Sequence, residues 1–129
     1  MGLIIDGMDQ KKTLLPHFFC VPNNLKEETF IQFHLVGCIV FNGEMFTRVY
    51  FTAPNIHNDA NLTITIINHV LSHWPGDLPE VLYWKLDNTS RENKIQVVFS
   101  YLNMLVELGI FKKVKSFWFP SCWEYTRSY

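Results

Sequence analysis

A chain of 129 residues suits one domain with a buried core, and a hydrophobic share of 48% with 16% aromatic side chains excludes an intrinsically disordered chain. With 11 basic against 12 acidic side chains, the formal net charge of −1 excludes a global basic field that would recruit nucleic acid. Cys20, Cys38 and Cys122 lack C-x-x-C spacing, which excludes zinc-ribbon and thioredoxin-like sites and points to free thiols in a reducing compartment.

Gly2 to Gly7 begins at once as a buried strand, the way a segment from the interior of a larger protein would. Asp6 closes it, and Asp9 follows in Asp6-Gly7-Met8-Asp9-Gln10. Two readings stand side by side. One is a turn, since Asp and Gly are turn residues; the other is a carboxylate at a strand end, able to meet Asp87 across neighbouring strands. Residues 10–30 read as loop, broken by Pro16, Pro22, Asn23 and Asn24. His17 there reads as a surface or half-buried side chain rather than a ligand. The runs Gln32 to Phe41 and Met45 to Thr52 flank Asn42-Gly43, a strong hairpin signal because both residues tolerate positive φ. Gly37 inside the first run marks a bulge.

Pro54 ends the hairpin, and a loop leads to Asn61, the expected N-cap of a helix. Leu62, Ile66, Ile67, Val70, Leu71 and Trp74 recur at helical spacing until Pro75-Gly76. His69 and His73 share one helix face, with His57 nearby in number, but no third ligand is close in sequence, which favours structural histidines. The stretch from Val81 to Lys94 organises the rest. Val81 to Leu86 reads as a buried strand, Asp87 stands at its carboxyl end, and Thr89 with Glu92 has the spacing of a capping box. An acid between a buried strand and a helix lies where α/β sheets place ligands and metals. Ile95, Val98, Phe99, Leu102, Leu105 and Val106 then form an amphipathic helix capped by Gly109, and Val114 to Phe119 forms a further strand. The tail from Pro120 to Tyr129, with Trp123, Tyr125 and Tyr129, shows no pattern and is expected to be loosely held.

No apolar run reaches the ~18 residues of a membrane span. Two glycosylation sequons, at Asn61 and Asn88, carry no weight without a secretory signal, and Asp6 stands where a myristoylation motif needs Ser or Thr. The expected location is intracellular, the nucleus included, and not secreted.

Strand, hairpin, helix, strand, helix, strand, with carboxylates ending the first and fourth strands, is the order of the ribonuclease H-like fold. That fold is an α/β mixed sheet of three antiparallel strands followed by two parallel ones. Its strand-end acids hold two magnesium ions that activate water and stabilise the leaving oxygen. The segments Asp6-Gly7-Met8-Asp9-Gln10 with Leu15-Pro16-His17-Phe18, Leu86 to Lys94, and Leu105 to Phe111 resemble an uncharacterised eukaryotic transposase-like domain family. Its members look like integrase cores in transposon-derived proteins. The resemblance spans roughly residues 1–115. It implies Asp6 and Asp87 as catalytic metal ligands, Asp9 as an accessory or alternative, Mg2+ or Mn2+ as the cofactor of an intact relative, and DNA as the substrate.

The chain departs from that family after Lys115. A segment His-Thr-His-Glu-Asp is replaced by Ser116 to Tyr125, in which Glu124 is the sole acid. Plausible codons for the tail, read one frame over, spell a continuation close to the expected one, which supports a frame shift between Lys115 and Phe117. Two carboxylates without a third hold magnesium poorly, because it demands near-octahedral oxygen ligation. Residues 1–119 are therefore read as a truncated ribonuclease H-like domain lacking its C-terminal helix, and 120–129 as a frame-shifted tail. The expected function is a transposase-derived nuclease frame, inactive as it stands, with no metal held stably. An intact form would cleave phosphodiesters or transfer strands on DNA. The alternative is a non-catalytic protein- or nucleic-acid-binding module, for which the near-neutral charge favours a protein partner. A third reading is a relic that barely folds, with one sheet face uncovered.

Overall fold

The structure is a computed structural model, and it describes residues 1–8, 13–15, 20, 30–86, 92–118 and 121–126. In chain order these form β1 (Gly2–Gly7), β2 (Leu14–Leu15), β3 (Ile31–Gln32), β4 (His34–Asn42), β5 (Glu44–Thr52), α1 (Ala60–Ser72), β6 (Val81–Leu86), α2 (Glu92–Glu107), β7 (Lys113–Trp118) and β8 (Ser121–Thr126). Strands β2 and β3 pair as a small separate ribbon. The other six make one mixed sheet in the order β5-β4-β1-β6-β7-β8. The pairs β5–β4, β4–β1 and β7–β8 are antiparallel, while β1–β6 and β6–β7 are parallel.

The hairpin forms where Asn42-Gly43 indicated, but only Gly43 takes positive φ, at 83°. Pairing runs on to Asn42↔Glu44, so a single glycine with no Cβ to clash makes the reversal. The bulge expected at Gly37 does not exist. Gly37 pairs in register with Val49 on one side and Asp6 on the other, and the ladder is unbroken.

Strand alternation divides the sheet into two unlike faces. Leu3, Ile5, Val36, Cys38, Val40, Leu82, Trp84, Val114 and Ser116 point to one face and are buried. Both helices cover that face. Helix α1 contributes Ile66, Ile67 and Val70, and α2 contributes Val98, Leu102, Leu105 and Val106. Each large apolar side chain buried there contributes roughly 1.5–3 kcal/mol. Tyr50 meets His69 of α1 edge-on, and Trp84 meets Phe99 of α2 edge-on, which fixes one helix over each half of the sheet. Tyr101 of α2 donates to Asn68 Oδ1 of α1, tying the two helices together.

Opposite them, Ile4, Ile39, Phe41, Val49, Phe51, Tyr83 and Phe117 are exposed. The strands β1 and β6, read as buried, are thus half-buried: apolar residues occupy both faces, but among the described residues helices cover only one. The crossover α2 joins parallel neighbours and α1 joins the hairpin to β6, and both lie on the same side.

Helix boundaries differ in instructive ways. Asp59, not Asn61, is the N-cap of α1: its Oδ1 accepts the Leu62 backbone N–H at 3.0 Å, and its backbone is extended. Asn61 lies within the first turn. Helix α1 ends at Ser72, before Pro75-Gly76. Helix α2 ends at Glu107 and is capped as expected by Gly109, which has φ 75°. Gly109 N–H reaches Val106 O at 2.9 Å and Ile110 N–H reaches Leu105 O at 3.0 Å, the paired bonds of a Schellman cap. The expected capping box at Thr89 lies outside the described residues.

The tail corrects the reading of an unpatterned segment. Residues 121–126 form β8, with Trp123 opposite Ser116 and Tyr125 opposite Val114. Those two aromatics stand two apart, the period of a strand, and their missing partner is the preceding strand itself. Among the described residues, no helix is long and apolar enough to cross a membrane.

Candidate functional site

The carboxyl ends of β1 and β6 lie side by side because the two strands are parallel neighbours. Ile5 is the register partner of Leu86. The next residues in each strand direction are Asp6 and Asp87. Asp6 is exposed on the face opposite α1 and α2, and its partner on β4 is Gly37, so no side chain opposes it on that strand. Asp87 and Asp9 lie outside the described residues, as does the turn from β6 into α2.

A neighbour that the sequence reading missed is Asn58. A Cβ added to Gly7 would come within 3.3 Å of Asn58 Nδ2, so glycine at that position lets the loop before α1 lie against the end of β1. Met8 N–H donates to Leu35 O at 2.8 Å and extends the β1–β4 pairing past the acid. The only sequence signal for Asn58 was its place in a polar loop before a helix, and such loops are common.

For a metal, the described residues do not fit. Asp6 supplies one carboxylate, and among the described residues no three His, Cys, Asp or Glu side chains gather into a ligand group. Magnesium needs several oxygen ligands in octahedral array, and one carboxylate does not supply them.

A second cluster sits on the helix-covered face, between β5 and α1. Tyr50 Oη lies 3.0 Å and Arg48 Nη1 lies 3.4 Å from His69 Nδ1. The arginine can only donate, so that nitrogen is the acceptor. Desolvation by the groups packed against it, then the neighbouring His73 and Arg48, lower the pKa of the exposed His69 and favour the neutral ring. His73 packs its ring 4.2 Å from that of His69, and its Nδ1–H donates to the His69 carbonyl at 2.8 Å. Both histidines have structural roles in this geometry, because a cationic guanidinium beside His69 opposes a metal ion. Beneath Arg48, burial pushes the Cys38 thiol up to about 11 against the opposing pull of that arginine. Such a thiol is a protonated, inert core group.

The fold and its strand-end acid define a mixed α/β domain with one helix-covered face and an acidic residue where a parallel strand pair ends. The family described as a domain of unknown function (DUF7869) matches residues 23–120, most of the chain, and the chain belongs to that family. Asp87 falls inside the matched residues, whereas Asp6 and Asp9 precede them. No curated protein matches the chain.

Proposed function

We propose that this domain is a transposase-derived nuclease frame of the ribonuclease H-like type, catalytically inactive in this form. The observation that carries the reading is the sheet order β5-β4-β1-β6-β7 with β1, β6 and β7 parallel. It is the order expected of that fold, and it brings the residue before Asp6 into register with the residue before Asp87. In this reading Asp6 and Asp87 occupy the first two ligand positions, Asp9 is accessory, and relatives with a complete acid set cleave or transfer DNA strands with Mg2+ or Mn2+. Strand β8 occupies the position after β7 where the resemblance calls for a further acidic segment, and it offers only Glu124.

The test is a supercoiled-plasmid nicking assay with Mg2+ or Mn2+, run on this chain and on its Asp87→Asn variant. No nicking above background is the expected result. Nicking by the parent chain that disappears in Asp87→Asn would overturn the inactive reading and establish an enzyme. The transposase origin is tested separately, by sequencing the transcript from the Lys115 codon onward. A shifted frame that continues into a His, Glu and Asp segment is expected; its absence from every frame means that the third ligand was lost outright and removes nuclease chemistry, leaving the binding module.

The apolar outer face favours a second reading, a non-catalytic module that keeps the fold for a protein partner. Phe41, Phe51 and Met45 stand exposed there on adjacent strands, and patches of this kind mark interaction surfaces. Saturable association unaffected by Asp87→Asn is its expected behaviour.

A further inference from the structure

The tip half of the β4–β5 hairpin and the end of α1 border an open recess of about 170 Å³. Val40 and Val70 line its floor and are almost fully buried. Phe46 and Trp74 wall it, with ring centroids 6.1 Å apart and planes at 87°. An apolar cavity of ~150 Å³ takes up benzene, so the space suits one aromatic ring. Arg48 and His73 form the polar rim. The polar neighbours of Arg48 are His69 and Tyr50, both neutral, and among the described residues no carboxylate pairs with it. A permanent guanidinium charge beside a ring-sized apolar recess selects an anion that carries a ring, since the fork of N–H donors matches a carboxylate.

We propose that this recess binds a small aromatic carboxylate, its ring against the Phe46–Trp74 pair and over Val40 and Val70, and its carboxylate on the Arg48 guanidinium. The site is independent of the nuclease reading and lies on the opposite face of the sheet from Asp6. A free aromatic acid and the C-terminal residue of a peptide present the same chemistry.

The test is a heteronuclear NMR titration of the full chain with phenylacetate, phenylacetamide and N-acetylphenylalanine. Phenylacetate is expected to shift the Trp74 indole N–H and the Arg48 side-chain N–H saturably. Phenylacetamide, which keeps the ring and loses the charge, is expected to bind about tenfold or more weakly. Arg48→Gln should erase that preference and leave the weak phenylacetamide response in place. If that variant does not fold, the two ligands on the parent chain still decide the matter. Tighter binding of N-acetylphenylalanine than of phenylacetate assigns the recess to a peptide terminus, and the reverse assigns it to a free acid. Equal binding of phenylacetate and phenylacetamide, or no response at Trp74, overturns the proposal.

Discussion

Along β6 one short strand meets two environments. Leu82 and Trp84 are fully buried under α2, while Tyr83 and Lys85, which alternate with them, are exposed. The same division runs across β1, β4, β5 and β7, and it does not follow hydrophobicity, since Ile4, Ile39 and Phe41 are as apolar as Leu3 and Val40. What separates the faces is where the two helices return. A helix must bury its own apolar stripe, and one sheet face offers enough surface for both. The inner face is therefore a packed core. On the outer face Tyr83 and Phe117 stack with centroids 6.1 Å apart, in the open.

Truncating one large side chain on each face separates the two environments most clearly. Trp84, with no exposed surface, should lose ~3–5 kcal/mol on change to Ala. Phe51, 73% exposed, should change stability by no more than about 0.5 kcal/mol. Urea unfolding of Trp84→Ala and Phe51→Ala measures both, and similar losses would mean the outer face is covered in solution. Trp84 Nε1 and Ser116 Oγ, register partners on the inner face, are buried without a hydrogen-bond partner among the described residues. Trp84→Phe should accordingly cost less than its lost area suggests, because it removes an unpaired donor.

A chemical contrast comes next in size. Burial raises the Cys38 thiol from 9.0 to about 11. A folded-state value above the unfolded one means that the stabilisation is fully present below the lower value and is lost as pH climbs through the upper one. The gap limits the effect to about 3 kcal/mol. Burial also raises Tyr50 and Tyr101 above their ordinary value of 10.0, so they act in the same direction at higher pH. Stability of the parent chain should fall between pH 9 and 11, and Cys38→Ala should flatten that fall. An identical pH profile in the variant would show that Cys38 is not buried as described. In native protein Cys20, which is exposed, should alkylate before Cys38.

The smallest effect concerns the start of the helix that covers the hairpin half. Asp59→Ala removes the acceptor of the Leu62 N–H and should cost about 1 kcal/mol, while Asn61→Ala should cost less. Thermal unfolding of the two variants tells the true cap from the neighbouring candidate; a larger loss at Asn61 would reverse the assignment.

Most elements were legible because their patterns are local. The hairpin around Gly43, the apolar stripe of α1, the stripe and Gly109 cap of α2, and the runs of β1, β6 and β7 all appear where periodicity and turn chemistry put them. The misses share a cause. Asp59 and Asn61 are both good N-caps, and the choice depends on which residue takes extended backbone as the chain leaves the Ala53 to Asn58 loop. Gly37 looked like a bulge because glycine weakens a strand, yet two strands hold it in register. Strand β8 has little signal alone, and β7 supplies its hydrogen bonds. Of the candidate site, the position of Asp6 at the end of a strand was readable, while Asn58 beside Gly7 was not, since the two are far apart in sequence.

By itself, then, the sequence determined element type, the order strand, hairpin, helix, strand, helix, strand, and the presence of an acid at the end of β1. Those follow from backbone propensity and side-chain period, which act over a few residues. Only the tertiary structure decided that β1 lies between β4 and β6, that both helices share one face, and that Arg48 comes to rest beside His69 and Trp74. Each of these joins residues distant along the chain. Which of two equally apolar faces is buried depends on where packing sends the helices, and that is a property of the whole sheet.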